Sequence, residues 1–223
     1  MVIEFEPFNA GFEDCLRELK NHFISETFVD EISLAKGEFA GYSIVLKEGE
    51  GYEQRLALFF DWYLFDRKLS NTSLTPLEYF AEFLAKKDAV EEAVDIFKGF
   101  SKSIHSIFIV KSKGSGYIKV KDIFNKKKYI VTEENLVGFE KRDIMEARLV
   151  PFKKDYRFSG AFLFYPYEVK KILKTEIKQA KKQGGQDFNA FLLKFRKLKT
   201  TWDRFTRMDI KKVYTLMEEG LLA

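Results

Sequence analysis

Asp61, Asp66 and Arg67 stand in and just after an unusually apolar run, EQRLALFFDWYLFD at residues 53–66. A carboxylate wedged among aromatic rings must pair with a cation or have its pKa raised, and two such groups together are the raw material of hydrolysis. Spacing argues against shared chemistry. Five positions turn a helix by roughly 140°, so Asp61 and Asp66 are expected to face apart, in a buried polar site made of a structural ion pair or a helix-end hydrogen bond. The two histidines, His22 and His105, cannot supply a multi-histidine metal site, and the single cysteine, Cys15, excludes a disulfide or Cys-rich zinc site. No G-x-S-x-G, Walker A, G-x-G-x-x-G or H-E-x-x-H word occurs, and Gly114-Ser115-Gly116 reads as a turn. No catalytic residue, metal or cofactor is expected.

A second constellation is cationic. In GYIKVKD the two-residue strand period puts Tyr117, Lys119 and Lys121 on one face, with Lys126, Lys127 and Lys128 across the next turn. An aromatic among lysines on a small barrel is a pattern that holds single strands, although any outward strand face can look the same. The tail adds Lys194, Arg196, Lys197, Arg204 and Arg207 around an apolar seam. From Lys153 onward there are 17 Lys+Arg against 8 Asp+Glu, a net +9, which leaves −5 for residues 1–152 of a chain that totals +4. Such asymmetry suits an anionic partner or the docking of oppositely charged parts.

The elements that must position these residues follow from periodicity. A chain of 223 residues, 16% aromatic with 24 Phe, can bury one large core or two small ones. Residues 12–39 read as helical with a break near Ser25–Thr27. Residues 42–46 form a short extended piece before the central helix. That helix is apolar on nearly every side (Leu56, Phe59, Phe60, Tyr63 and Leu64 on one, Leu58, Trp62 and Phe65 on the other), which makes it a buried one. Thr75, Pro76 and Glu78 spell an N-cap, a first-turn proline and a capping-box carboxylate, and Asp88 with Glu91 repeats the device. After Ser103 five alternating segments predict a small antiparallel barrel of SH3-like class. Pro166 opens a helical tail. There Phe188, Phe191, Phe195, Leu198, Trp202 and Phe205 recur in heptad fashion, a seam that suits packing on the same chain first, and otherwise docking with a partner helix or lying on an anionic membrane.

RLALFFDWYLFDRKL and TPLEYF, followed by SIFIV, VKDIF, MEARLVPF and RFSG, resemble a family of uncharacterised bacterial proteins over residues 50–170. The resemblance implies a helical part followed by a β module and assigns no activity. Some relatives carry a SEC-C zinc module, which one cysteine cannot build.

The reading is therefore an α+β protein: a helical domain at 1–102, a small β-barrel at 103–166 and a basic amphipathic tail at 167–223. With no basic or apolar leader in MVIEFEPF, a cytoplasmic location is expected. The expected function is a non-enzymatic binding or adaptor protein. Its partner would be nucleic acid, acidic protein or an anionic surface, met through the β module and the tail. The alternatives are a hydrolase built on Asp61 and a nucleotide-sensing barrel resembling PilZ domains, with Arg142, Arg148 and Ser159-Gly160 as its loose echo.

Overall fold

The computed structural model describes residues 11–222 apart from 42–45, 47, 50, 88, 183–187 and 206. Five helices come first: α1 (Phe12–Ile24), α2 (Val29–Ala40), α3 (Tyr52–Phe65), α4 (Pro76–Lys86) and α5 (Glu91–Phe100). Strands β1 (Ile104–Gly114), β2 (Tyr117–Asp122), β3 (Lys128–Thr132), β4 (Ile144–Phe152) and β5 (Asp155–Tyr165) follow. Helices α6 (Val169–Lys182), α7 (Phe188–Arg204) and α8 (Ile210–Glu218) close the order. The chain is thus mixed α+β, with helices before and after one five-stranded sheet in sequence.

Local chemistry explains most boundaries. α1 gives way at Ser25 to one 3-10 turn, Glu26–Phe28, before α2. The Thr75 hydroxyl accepts from the Glu78 amide at 3.2 Å, while the Glu78 carboxylate accepts from the Thr75 amide at 2.8 Å. The second expected capping box does not form as proposed: Asp88 lies outside the described residues, and α5 opens from Val90 without a side-chain cap. Most of the expected extended piece, residues 42–45, is outside them too.

Helix α3 is the centre of the helical layer. Leu58, Phe59, Trp62, Tyr63 and Leu64 are buried, with Phe59 and Tyr63 stacked at 5.7 Å and Phe39 of α2 5.3 Å from Trp62. On the sheet side, the Gln54 amide donates to the Phe162 carbonyl of β5 at 3.0 Å.

Strands β1, β2 and β3 run antiparallel in sequence, and β4 returns to lie beside β1, which is Greek-key wiring. β5 then pairs antiparallel with β4 and parallel with β3 through Val131 and Tyr156, so the sheet closes in the order β1-β2-β3-β5-β4. β4 is buried on both faces. Met145, Ala147 and Leu149 point into the closed sheet with Phe108, Val110, Ile118 and Val120. Ile144, Val150 and Phe152 point the other way, into a core shared with α1–α5 and α6–α8. Glu146 and Arg148 occupy this second face, so two charges of opposite sign enter a layer of apolar packing. The aromatic seam of α7 seals the same core: Phe191, Phe195 and Leu198 are buried, and Phe124 meets Phe188 and Phe191 edge-on at 4.9 and 4.6 Å.

Candidate functional site

Where α3, the sheet and α7 meet, seven ionisable side chains converge. Register places His105 of β1 opposite Arg148 of β4, and Ile107 opposite Glu146, so the three polar groups share one face of adjacent strands. Arg148 Nε lies 3.0 Å from Asp61 Oδ2 and 3.1 Å from Oδ1, and Arg148 Nη2 donates to Asp66 Oδ2 at 2.5 Å. Arg196 of α7 donates to Glu146 Oε1 from Nε at 2.7 Å. His105 Nε2 is 2.9 Å from the same oxygen, and the Tyr165 hydroxyl donates to Glu146 Oε2 at 3.1 Å. His105 Nδ1 sits between Arg148 Nη2 at 3.3 Å and Asp66 Oδ2 at 3.6 Å.

The electrostatics balance. Burial drives the Glu146 carboxyl upward, but the Arg196 charge and the His105 bond outweigh it and bring the group down to about 2. Burial acts the same way on Asp66, and Arg148 with His105 again wins, holding it well below the usual carboxylate range. For His105, burial and the Arg148 charge push down, while Asp66 and Glu146 push up and prevail. Three carboxylates face two guanidiniums, so a protonated His105 closes the count.

Asp61, Asp66 and His105 also bring one ligand atom each to within 4.8 Å of the others, the arrangement a cation would need. Arg148 already fills that role: its guanidinium bonds both carboxylates, and a metal ion would meet a buried positive charge. The adjoining cleft measures about 140 Å³ and is lined by Trp62, Asp66, His105, Asn189, Leu192, Leu193 and Arg196. No Ser, Thr, Cys or Lys lines it, and both ring nitrogens of His105 are engaged. The arrangement cross-links three chain segments, α3, the sheet and α7.

The expected buried polar site is therefore corrected in two respects. Asp61 and Asp66 are not independent, because α3 ends at Phe65 and Arg148 bonds both carboxylates, Asp61 from Nε and Asp66 from Nη2. Arg67 belongs elsewhere: it is buried against α2, with Nε and Nη2 each 2.8 Å from a Glu38 oxygen and Nη1 on Glu31.

The cationic residues divide. Lys119, Lys127 and Lys128 are exposed and Tyr117 and Lys121 half-buried, all on the outer side of the β2–β3 hairpin or its turn. There Tyr117, Lys119 and Lys121 register against Thr132, Ile130 and Lys128. Lys126 holds the turn at φ 66° and donates to the Ile123 carbonyl. In the tail, Lys197, Arg204 and Arg207 are exposed. Arg196 is a correction, since it is buried on Glu146 rather than offered to a partner. Lys194 is likewise tied down, 2.7 Å from Glu176 and 3.2 Å from Glu218. The PilZ echo loses its arginine for the same reason: Arg148 is consumed internally. Arg142 is exposed on a loop, and Ser159 has its buried hydroxyl without a hydrogen-bond partner beside Gly160. His22 packs among Phe23, Phe28, Phe80 and Phe83.

His105 and Glu146 are the members that sequence reasoning did not gather. The signal was in MEARLV: opposite charges two apart on a strand share a face, and every neighbour there is apolar. No curated protein and no solved structure matches the chain significantly. A family model described as a family of unknown function (DUF7986) matches residues 17–208, across α1 to α7, and the chain belongs to that family.

Proposed function

We propose that the protein is a non-enzymatic binding protein that holds single-stranded nucleic acid on the outer face of its β2–β3 hairpin. The observation that carries this reading is the lysine-bearing face itself. Tyr117, Lys119, Lys121 and Lys128 stand side by side in register. Among the described residues, none of these lysines is in an ion pair. Lys119 Nζ lies 5.6 Å from the Tyr117 ring, and Ile130 beside it is 60% exposed. Unneutralised ammoniums around an aromatic provide a charged track and a stacking platform, the two things a flexible polyanion with flat bases needs.

The wiring supports the same reading. A five-stranded Greek-key barrel with the order β1-β2-β3-β5-β4 is the plan of the oligonucleotide-binding fold, whose strand 2–3 face takes its ligand. We assign the module to that class in preference to the SH3-like one, which strand number and length alone suggest. A carboxylate hydrolase centred on Asp61 has less to recommend it, because both oxygens of Asp61 are spent on Arg148.

Fluorescence anisotropy of a labelled oligothymidylate tests this. Binding should weaken steeply between about 50 and 200 mM salt, by roughly 0.7 logarithmic units per decade for each lysine engaged. Lys119→Glu with Lys128→Glu should abolish it. Association that is absent, or indifferent to salt and to both substitutions, refutes the assignment.

A further inference from the structure

We propose that α6 carries a second contact for the same ligand, continuous with the β2–β3 face, so that the bound species is a single strand long enough to cross from one to the other. This rests on the reading of that face given above.

Helix α6 repeats lysine at every fourth position: Lys170, Lys174, Lys178 and Lys182. Four residues rise about 6 Å and turn 40° past a full circle, so these ammoniums form a slowly winding stripe of evenly spaced charge. The apolar side of the helix, Val169, Ile172 and Leu173 with Ile177 at its edge, is buried in the common core. Glu176, the acid within the helix, turns away to accept from Lys194 at 2.7 Å and from the Tyr214 hydroxyl at 2.6 Å. Among the described residues no ion pair reaches the four lysines.

The stripe is not remote from the hairpin. Lys126, in the β2–β3 turn, shares an open groove of about 380 Å³ with Lys174, Lys178 and Lys182, floored by Ile177. Four ammoniums around one groove repel each other and concentrate anions there. The path from Lys119 through the turn to α6 is thus cationic along its length. It is also bracketed by aromatics. At the far end Tyr167 is 49% exposed, with Lys170 Nζ 4.7 Å from its ring centroid, repeating the Tyr117–Lys119 pairing.

A lipid surface fits less well. A helix lying on a membrane inserts an apolar face, and that of α6 is already covered by protein. A ring at each end of the cationic track, Tyr167 exposed and Tyr117 half-buried, favours bases that can stack.

The test compares oligothymidylates of about 6 and about 20 nucleotides, one within and one beyond a single-barrel site. Wild-type protein should bind the longer at least ~10-fold more tightly. Lys174→Glu with Lys178→Glu should leave the short oligonucleotide unaffected, erase the advantage of the long one, and reduce its salt slope by roughly 1.4. Lys119→Glu with Lys128→Glu should abolish both, with thermal melts of all variants matching wild type. If the α6 variant binds the long strand like wild type, the inference falls and the hairpin reading stands. If the hairpin variant binds both like wild type, the hairpin reading itself falls and takes the inference with it. Vesicles of phosphatidylserine and phosphatidylcholine provide a further arm. Vesicle binding lost in the α6 variant with oligonucleotide binding intact overturns the inference in favour of lipid.

Discussion

Arg148 on β4 embraces Asp61 on α3 from 87 positions away in the chain, with its Nε 3.0 and 3.1 Å from the two carboxylate oxygens and both side chains buried. A charge in such a place survives only with its counter-charge. The pair therefore fixes how the helical layer sits on the sheet, in addition to whatever apolar burial contributes.

Removing one partner should cost far more than removing both. Arg148→Met leaves Asp61 buried without a cation and should lower stability by about 3–5 kcal/mol, as expected for a broken buried pair. Adding Asp61→Leu should restore part of that loss. Urea denaturation measures both, and a single variant as stable as wild type would contradict the burial of the pair.

His105 makes part of the stability depend on pH. Its folded pKa is raised, so its contribution is complete below the unfolded value near ~6.5 and disappears as pH climbs through the folded one. His22 works in the opposite sense, because burial lowers its pKa. The useful quantity is thus the difference between wild type and His105→Gln, which should be largest near about pH 6 and shrink toward pH 8.5. A gap that widens instead would show that His105 is held neutral. Asp66 and Glu146 add the acid limb: both are depressed, so their contribution is present above the usual carboxylate range and lost as pH falls through the folded values.

Trp62→Ala should cost ~3–5 kcal/mol. The ring packs on Phe39 at 5.3 Å and Phe59 at 6.3 Å, and it walls the cleft beside Asp66 and His105. Because helices and sheet share one core, the loss should move a single calorimetric transition downward without splitting it. An unchanged melting temperature would contradict the shielding of this helix.

Truncation after Tyr167 should not yield a clean tail deletion. It strips Glu146 of Arg196 and uncovers Phe124, so the remaining protein should bind the dye ANS and aggregate. Recovery of a soluble fragment with wild-type thermal stability would mean that α7 contributes nothing to the core.

Most helices and strands are legible because they obey one period, and some carry their own punctuation, although α5 has no side-chain cap and β4 is buried on both faces. Thr75 and Glu78 announce α4, and the glycines at 114 and 116 announce the β1–β2 turn. The heptad seam of α7 is core at Phe191, Phe195 and Leu198, whereas Phe205, just past the helix, is exposed. The polar cluster was only half legible. Asp61 in FFDWY betrays a buried charge, but its partner depends on which strand faces α3, and that is set by Greek-key wiring with no local signature. Arg196 was misread for a related reason: on a helix rich in lysine and arginine, the one cation that turns inward differs from its neighbours in angle alone. His105 has apolar residues on either side in sequence and acquires its role from register with Arg148.

The bond between Glu146 and Arg196 spans 50 positions and closes the cluster from its C-terminal side. On a ribosome adding about 5–20 residues per second, the acid waits roughly 3–10 s for the guanidinium that neutralises it. During that interval Glu146 has His105 and the Tyr165 hydroxyl as its partners, and the cluster is one positive charge short. Completion of the cluster therefore follows the synthesis of α7.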